Sequence, residues 1–334
     1  MSSPTARPAN LPAAGSCPFA DTVRAHVGRT VVGQNVVVER VLIALLTGGH
    51  LLLEGVPGIA KTLLVQSVAK AIDLRFARVQ FTIDLLPSDI VGSEILDQKS
   101  GEFRVHRGPI FTNLLLADEI NRASPKVQSA LLEAMQERKV SIGDTSHELP
   151  APFLVIATQN PVEQSGTFEL PEAQLDRFML RHRLSYPTPE DEAEVVRRSL
   201  KLKLKRHGDG AVPMTAFDAI EDASRLHTRE LTEAMTAVQG VHVSEVFIRD
   251  CVELVNLTRR HEDIELGCSP RAALALVHTS RARAFIHGRD YTIPEDFFAL
   301  AEDVILHRMR LTYEALAAGR TPEAVLAALL KSMA

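Results

Sequence analysis

Eight consecutive residues, Gly55-Val56-Pro57-Gly58-Ile59-Ala60-Lys61-Thr62, have the residue types and spacing of a phosphate-binding loop. Glycines let successive backbone N–H groups turn inward toward phosphate oxygens. A helix starting at the end of the loop adds its partial positive charge. Lys61 is the candidate to bridge β- and γ-phosphates, and the Thr62 hydroxyl to hold Mg²⁺. Ala60 stands where another glycine is usual. The loop survives an alanine there if the residue already has helical φ, and cannot survive it if the position needs positive φ.

Two adjacent carboxylates, Asp118-Glu119, end the apolar run 114–117, about 60 residues beyond the loop. Asp118 is a candidate Mg²⁺ partner, and Glu119 a candidate to orient or deprotonate an attacking water. The run 153–159 ends at Asn160, whose amide could hold a γ-phosphate or the lytic water; the competing reading is a turn-forming Asn before Pro161. In an open parallel sheet the carboxyl ends of the strands share one edge, which would bring Lys61, Glu119 and Asn160 together. Arg177 could neutralise phosphoryl charge in a neighbouring subunit's site, with Arg181 and Arg183 as competitors. Its plainer alternative is an intrachain pair with Asp176 or Glu172. Arg271 follows Ser269-Pro270 in a first helical turn, where a cation opposes the helix dipole, so it is a candidate for a γ-phosphate contact across a domain cleft. Val32, Gly33 and Gln34 lie upstream of the loop and could receive an adenine. With Gly55, Val56, Pro57, Gly58, Ile59, Ala60, Lys61, Thr62 and Leu63 they form the candidate nucleotide-binding set.

These groups need a scaffold. Short apolar runs near 51–53, 76–81, 114–116, 153–157 and 179–186 alternate with amphipathic segments, the pattern of a five-stranded parallel sheet covered on both faces. Two further stretches, 94–106 around Lys99-Ser100-Gly101 and 138–152 around Gly143-Asp144, read as inserted β-hairpins. Pro187 and Pro189 mark a boundary. Beyond it the chain reads as all-helical. Ser269-Pro270 gives one helix start, Thr292-Ile293-Pro294-Glu295 a second, and Gly288 and Gly319 give stops. The expected domains are a disordered tail at 1–20, an α/β core at 21–187 and an all-helical domain at 188–334.

Composition narrows the function classes. A length of 334 residues suits two domains at about 150 residues each. The formal net charge of −5 supplies no global positive field for nucleic acid, and the lack of Trp argues against stacking platforms. Three cysteines, an odd number, exclude a disulfide framework and fit a reducing compartment. Cys251, His261 and Cys268 lack zinc-site spacing. No run is apolar and long enough to span a bilayer, and the first residues lack a secretory pattern. A cytoplasmic location is expected. The basic run Arg197, Arg198, Lys201, Lys203, Lys205 and Arg206 reads as a solvated helix rather than a nucleic-acid patch.

Taken together, the motifs resemble those of the AAA+ ATPases and, within them, the MoxR family. GVPGIAKT resembles that family's phosphate loop, alanine included. DEINRASPKVQSALLEAM from Asp118, followed by QERKVSIG, resembles its second motif and hairpin. ATQNPVEQSGTFELPEAQLDRF from Ala157 resembles its sensor-1 and arginine-finger region, and GCSPRAALAL from Gly267 its sensor-2 helix. The resemblance covers roughly residues 22–310. It implies an AAA+ P-loop αβα sandwich followed by a helical lid. It also implies Mg²⁺-dependent ATP hydrolysis in a homo-oligomeric ring, hexameric by expectation, with ATP between subunits. The implied activity is chaperone-like remodelling, maturation or activation of a client protein, with a von Willebrand factor A domain protein as partner. A nucleotide-gated scaffold with little turnover and a chelatase- or helicase-like motor are the alternatives.

Overall fold

The computed structural model describes residues 15–55, 60–99, 101–160, 166–208, 210–218 and 226–333. Five strands form one parallel sheet: β1 (Leu51–Glu54), β2 (Phe76–Gln80), β3 (Leu114–Asp118), β4 (Leu154–Gln159) and β5 (Leu180–Arg183). Their spatial order is β2-β3-β4-β1-β5. The central strands β1, β3 and β4 arise because a parallel sheet buried on both faces demands apolar residues without alternation, while the edge strands β2 and β5 carry charged and polar residues. Side chains still point alternately to opposite faces. Leu51, Leu53, Leu114, Leu116, Leu154 and Ile156 enter one apolar core. Leu52, Leu115, Ala117, Val155 and Ala157 enter the other.

The first core is closed by α1 (Pro18–Val27), α2 (Asn35–Thr47) and α3 (Lys61–Ala71), and the second by α4 (Pro125–Glu137). The first core also takes in Phe247, Leu254, Leu276, Val304 and Leu326 from the C-terminal half. Core and lid therefore share one continuous apolar cluster. Lid helices include α5 (Pro270–Ile286) and α6 (Pro322–Met333). Both inserted hairpins form, Gly92–Leu96 with Phe103–Arg107 and Lys139–Ile142 with Thr145–Glu148.

The structure corrects three expectations. The disordered tail was placed at 1–20, but α1 begins at Pro18 and buries Phe19 and Ala20 with Val23 and Val27. The proline sits in the first helical turn, and these apolar residues recur at helical spacing, so the segment packs. Residues 1–14 lie outside the described residues. The C-terminal half is not all-helical. Leu204–His207 pairs with Gly210–Pro213, and Ile264–Leu266 with Arg310–Leu311. Lys203-Leu204-Lys205 alternates with period two, and Gly208 supplies a left-handed turn residue at φ +58°. The basic run is consequently divided. Arg197 and Arg198 pair with Glu194 on the helix Pro189–Leu200, while Lys205 pairs with Asp218 from a strand. Finally, the helix beginning at Pro294 is capped by Asp296, which accepts from the Ile293 N–H at 3.0 Å, one position beyond the expected box.

Just before β1, the buried His50 ring accepts from the Val155 N–H at 3.0 Å and donates to the Met135 carbonyl at 3.0 Å. Burial pushes its pKa down to about 4, with Arg138 adding to the effect and the Met135 carbonyl opposing it. The unfolded imidazole titrates near 6.5, so the unfolded chain binds more protons between these values, and stability falls as pH falls through that window. This one group contributes on the order of 3 kcal/mol that is lost between pH 7 and pH 4. Urea unfolding midpoints should drop across this range, and His50→Gln should flatten the slope.

Candidate functional site

All five strands run in one direction, so their carboxyl ends meet along a single edge. A cleft of about 400 Å³ opens there. Ala60, Lys61, Thr62 and Leu63 come from the start of α3, Asp118 and Glu119 from the end of β3, and Asn160 from just beyond β4. Gly55 follows β1 directly, while Val56, Pro57, Gly58 and Ile59 lie outside the described residues. Seven sequence-derived candidates from three separate stretches of the chain are thus neighbours: Ala60, Lys61, Thr62, Leu63, Asp118, Glu119 and Asn160.

Lys61 Nζ donates to the Gly55 carbonyl at 2.8 Å, closing the loop on itself. Burial lowers its pKa below the usual lysine value, and the Asp118 and Glu119 carboxylates oppose that shift. Thr158, wholly buried on β4, ties the two acids together. Its hydroxyl donates to Asp118 Oδ1 at 2.6 Å and accepts from the Glu119 N–H at 2.9 Å. Glu119 has a left-handed backbone, φ 57°, which turns the chain sharply after β3. Ala60 is also left-handed, at φ 51° and ψ 26°. This corrects the expectation that the loop could not keep an alanine at positive φ: Ala60 adopts it and the chain carries the steric cost of its Cβ.

Sequence reasoning missed four residues around this cleft. Arg78 reaches Asp118 Oδ2 through Nη2 at 2.6 Å and Nε at 3.1 Å. Gln80 Nε2 donates to Glu119 Oε2 at 2.7 Å, and Arg122 Nε lies 3.0 Å from the same oxygen. Phe217, from beyond the lid hairpin, lines the opening. Arg78 and Gln80 flank the buried Val79 on β2, where Gln80 registers opposite Asp118. That alternation was the available signal. An oxygen-donor set made of the Asp118 carboxylate and the Thr62 hydroxyl has the hard-ligand character that suits magnesium.

Val32, Gly33 and Gln34 are not among the residues that line this cleft. Gly33, at φ +73°, lies against the Asp191 side chain of the helix Pro189–Leu200, at the seam of core and lid. Arg177 and Arg271 also lie elsewhere. Both line a separate cavity of about 300 Å³ with Gly48, Arg138 and Arg308. The expected contact from Arg271 to its own chain's phosphate cleft is therefore absent among the described residues. Its Nη1 is 3.5 Å from Asp176 Oδ2. The competing arginines are spoken for. Arg181 donates to Glu54 at 2.6 Å and 3.0 Å, while Arg183 pairs with both Glu54 and Glu323. Arg177's plainer alternative also fails, because Asp176 is held by Arg308 and Ser269, and Glu172 by Arg310.

Comparison with known proteins agrees with this geometry. Residues 50–180 match the ATPase family associated with various cellular activities, and residues 256–329 match the AAA lid domain. Over 318 residues the chain is 44% identical to Chaperone MoxR1 of Mycobacterium tuberculosis, covering 92% of this chain and 80% of that one. The chain belongs to the MoxR family of AAA+ ATPases. Protein MoxR of Methylorubrum extorquens is 31% identical over 300 residues, 86% of each chain. A solved structure from Cytophaga hutchinsonii, assigned there as an ATPase, superposes with a TM-score of 0.81 at 43% identity, covering 94% of both chains. The fold of this chain is thus shared with that protein over nearly its whole length. Among the described residues no helix is long and apolar enough to cross a membrane, and no group of His, Cys, Asp and Glu could hold a metal ion by itself.

The left-handed Ala60 generates a measurable expectation. Ala60→Gly removes the Cβ penalty at positive φ but adds backbone entropy to the unfolded chain, so the net gain is about 1 kcal/mol or slightly less. Urea unfolding of the two proteins, free of nucleotide, should show the variant to be the more stable.

Proposed function

We propose that this MoxR-family chain hydrolyses ATP with Mg²⁺ in a ring of identical subunits and uses the energy to remodel a client protein. The observation that carries this reading is the division of charge between two places. Lys61, Thr62, Asp118, Glu119 and Asn160 converge on one cleft, while Arg177 and Arg271 stand together in a separate cavity. A hydrolytic site needs both halves, so a neighbouring subunit supplies the second, and a head-to-tail contact of this kind closes into a ring.

In that assembly the backbone of the 55–60 loop and Lys61 bind the β- and γ-phosphates. Thr62 and Asp118 would hold the metal, whose charge offsets that of the phosphates. Glu119 aligns the attacking water, with Asn160 as a second polar contact. Gln80 and Arg122 now hold Glu119, so they fix where its carboxylate points. Arg177 and Arg271 of the adjacent subunit face the γ-phosphate and neutralise charge on the transferring group. Val32, Gly33 and Gln34 remain the proposed adenine contacts, at the seam where lid movement would register base binding.

Client work has its own support. Ile95, Leu96, Phe103 and Val105 are exposed on the hairpin of Gly92–Leu96 and Phe103–Arg107. Exposed apolar side chains on a two-stranded projection suit contact with another protein. A relative bears the name chaperone. A von Willebrand factor A domain partner and a cytoplasmic setting complete the proposal, on the strength of the family resemblance.

Steady-state phosphate release tests the hydrolytic reading. Lys61→Ala should abolish nucleotide binding, and Glu119→Gln should bind ATP with negligible turnover. Turnover by Glu119→Gln at the parental rate would refute the role given to Glu119. Arg177→Ala should retain nucleotide affinity while losing at least about a hundredfold in turnover. Mixing Arg177→Ala with Lys61→Ala subunits should restore part of the activity, because each supplies what the other lacks. Absence of any recovery would contradict a finger acting between subunits.

A further inference from the structure

Arg177 lies between two carbonyls held by the lid. Arg308 has a side chain only 2% exposed and is the anchor. Its Nε donates to Asp176 Oδ1 at 2.9 Å, Nη2 to the Phe178 carbonyl at 2.6 Å, and Nη1 to the Met179 carbonyl at 3.3 Å. Nη2 also lies 3.4 Å from the Asp176 carbonyl, and His307 Nε2 makes a 3.0 Å bond to the Phe178 carbonyl. Ser269, at the start of α5, donates to both Asp176 oxygens at 3.0 Å and 3.1 Å. The short helix Glu172–Leu175 is held at its other end as well, where Glu172 pairs with Arg310. Every one of these partners belongs to the C-terminal half.

The segment bearing Arg177 is thus fastened to the lid, although its sequence belongs to the core. Asp176 also lies beside Arg271. One carboxylate, next to Arg177 in the chain, thereby also touches Arg271, and both arginines line one cavity. Arg177's own side chain has no carboxylate partner among the described residues, so its position depends on its backbone. A buried guanidinium with a carboxylate and backbone carbonyls on its fork is a rigid attachment, since a flexible ammonium could not satisfy them together.

We propose that Asp176 and Arg308 are positioning residues that make Arg177 and Arg271 one lid-borne unit. The arginine pair offered to a neighbouring subunit then moves whenever the lid of its own subunit moves. This rests on the reading that Arg177 acts between subunits. It goes further by naming what holds the finger and which body carries it.

The test uses full-length chains in the complementing mixture of Lys61→Ala (finger donor) and Arg177→Ala (site donor). Asp176→Asn added to the finger donor should lower the restored turnover number on the order of tenfold to a hundredfold, leaving KM for ATP unchanged. The same substitution added to the site donor should leave the restored rate unchanged. Arg308→Lys keeps the charge but not the fork, so it serves as the second probe. It should show the same asymmetry even if Asp176→Asn folds poorly. Equal losses in both arms, or no loss in either, would overturn the positioning role while leaving the trans-acting finger intact. A parental mixture that never recovers activity would instead overturn the trans reading and this inference with it.

Discussion

Parallel pairing of β1 with β4, and of β4 with β3, is the constraint on which the molecule depends. Parallel hydrogen bonding sends every strand out at the same edge, so three connections separated by dozens of residues deliver Lys61, the two acids and Asn160 to one cleft. Thr158 then joins two of those strands through a single hydroxyl that serves Asp118 and Glu119 together. An apolar residue at that place would leave the Glu119 N–H without its partner and Asp118 Oδ1 without its donor. Both losses would fall on the groups that matter most.

Electrostatic pairing separates side chains that residue types left alike. Three arginines compete as the charge-neutralising finger, Arg177, Arg181 and Arg183, with Arg271 a separate candidate from the lid. The buried Glu54 takes Arg181 and Arg183, and Glu323 takes the far side of Arg183. This binds the strand that leads into the phosphate loop to the last helix of the lid. Asp176 goes to Arg308. What remains for Arg177 is a cavity shared with Arg271.

The continuous core gives these contacts their mechanical meaning. Leu276, Val304 and Leu326 pack in the same cluster as α2 and the sheet. Lid and core therefore cannot separate without exposing apolar surface, which favours small rotations about the shared cluster over opening. Charged links between the two, such as Arg40 with Asp303 and Glu39 with Arg283, sit where such rotations would be felt.

Local chemistry was written in contiguous residues, and that part was legible. The runs 51–53, 114–116 and 153–157 had to be buried strands, since nothing else covers such apolar stretches on both sides. Gly55, Lys61, Thr62, Asp118 and Glu119 announced their chemistry by type and spacing. Hairpins around Gly101 and Gly143 followed from alternation. Allocation of partners was not legible, because it depends on contacts between residues far apart in sequence, such as Arg308 with Asp176 and Arg181 with Glu54. Arg78 and Gln80 looked like ordinary exposed strand residues until the register set them beside the acids. Ala60's left-handed backbone likewise went unread, a locally costly conformation repaid by the structure around it, whereas the hairpin at Leu204 had a local signal in its alternation before Gly208.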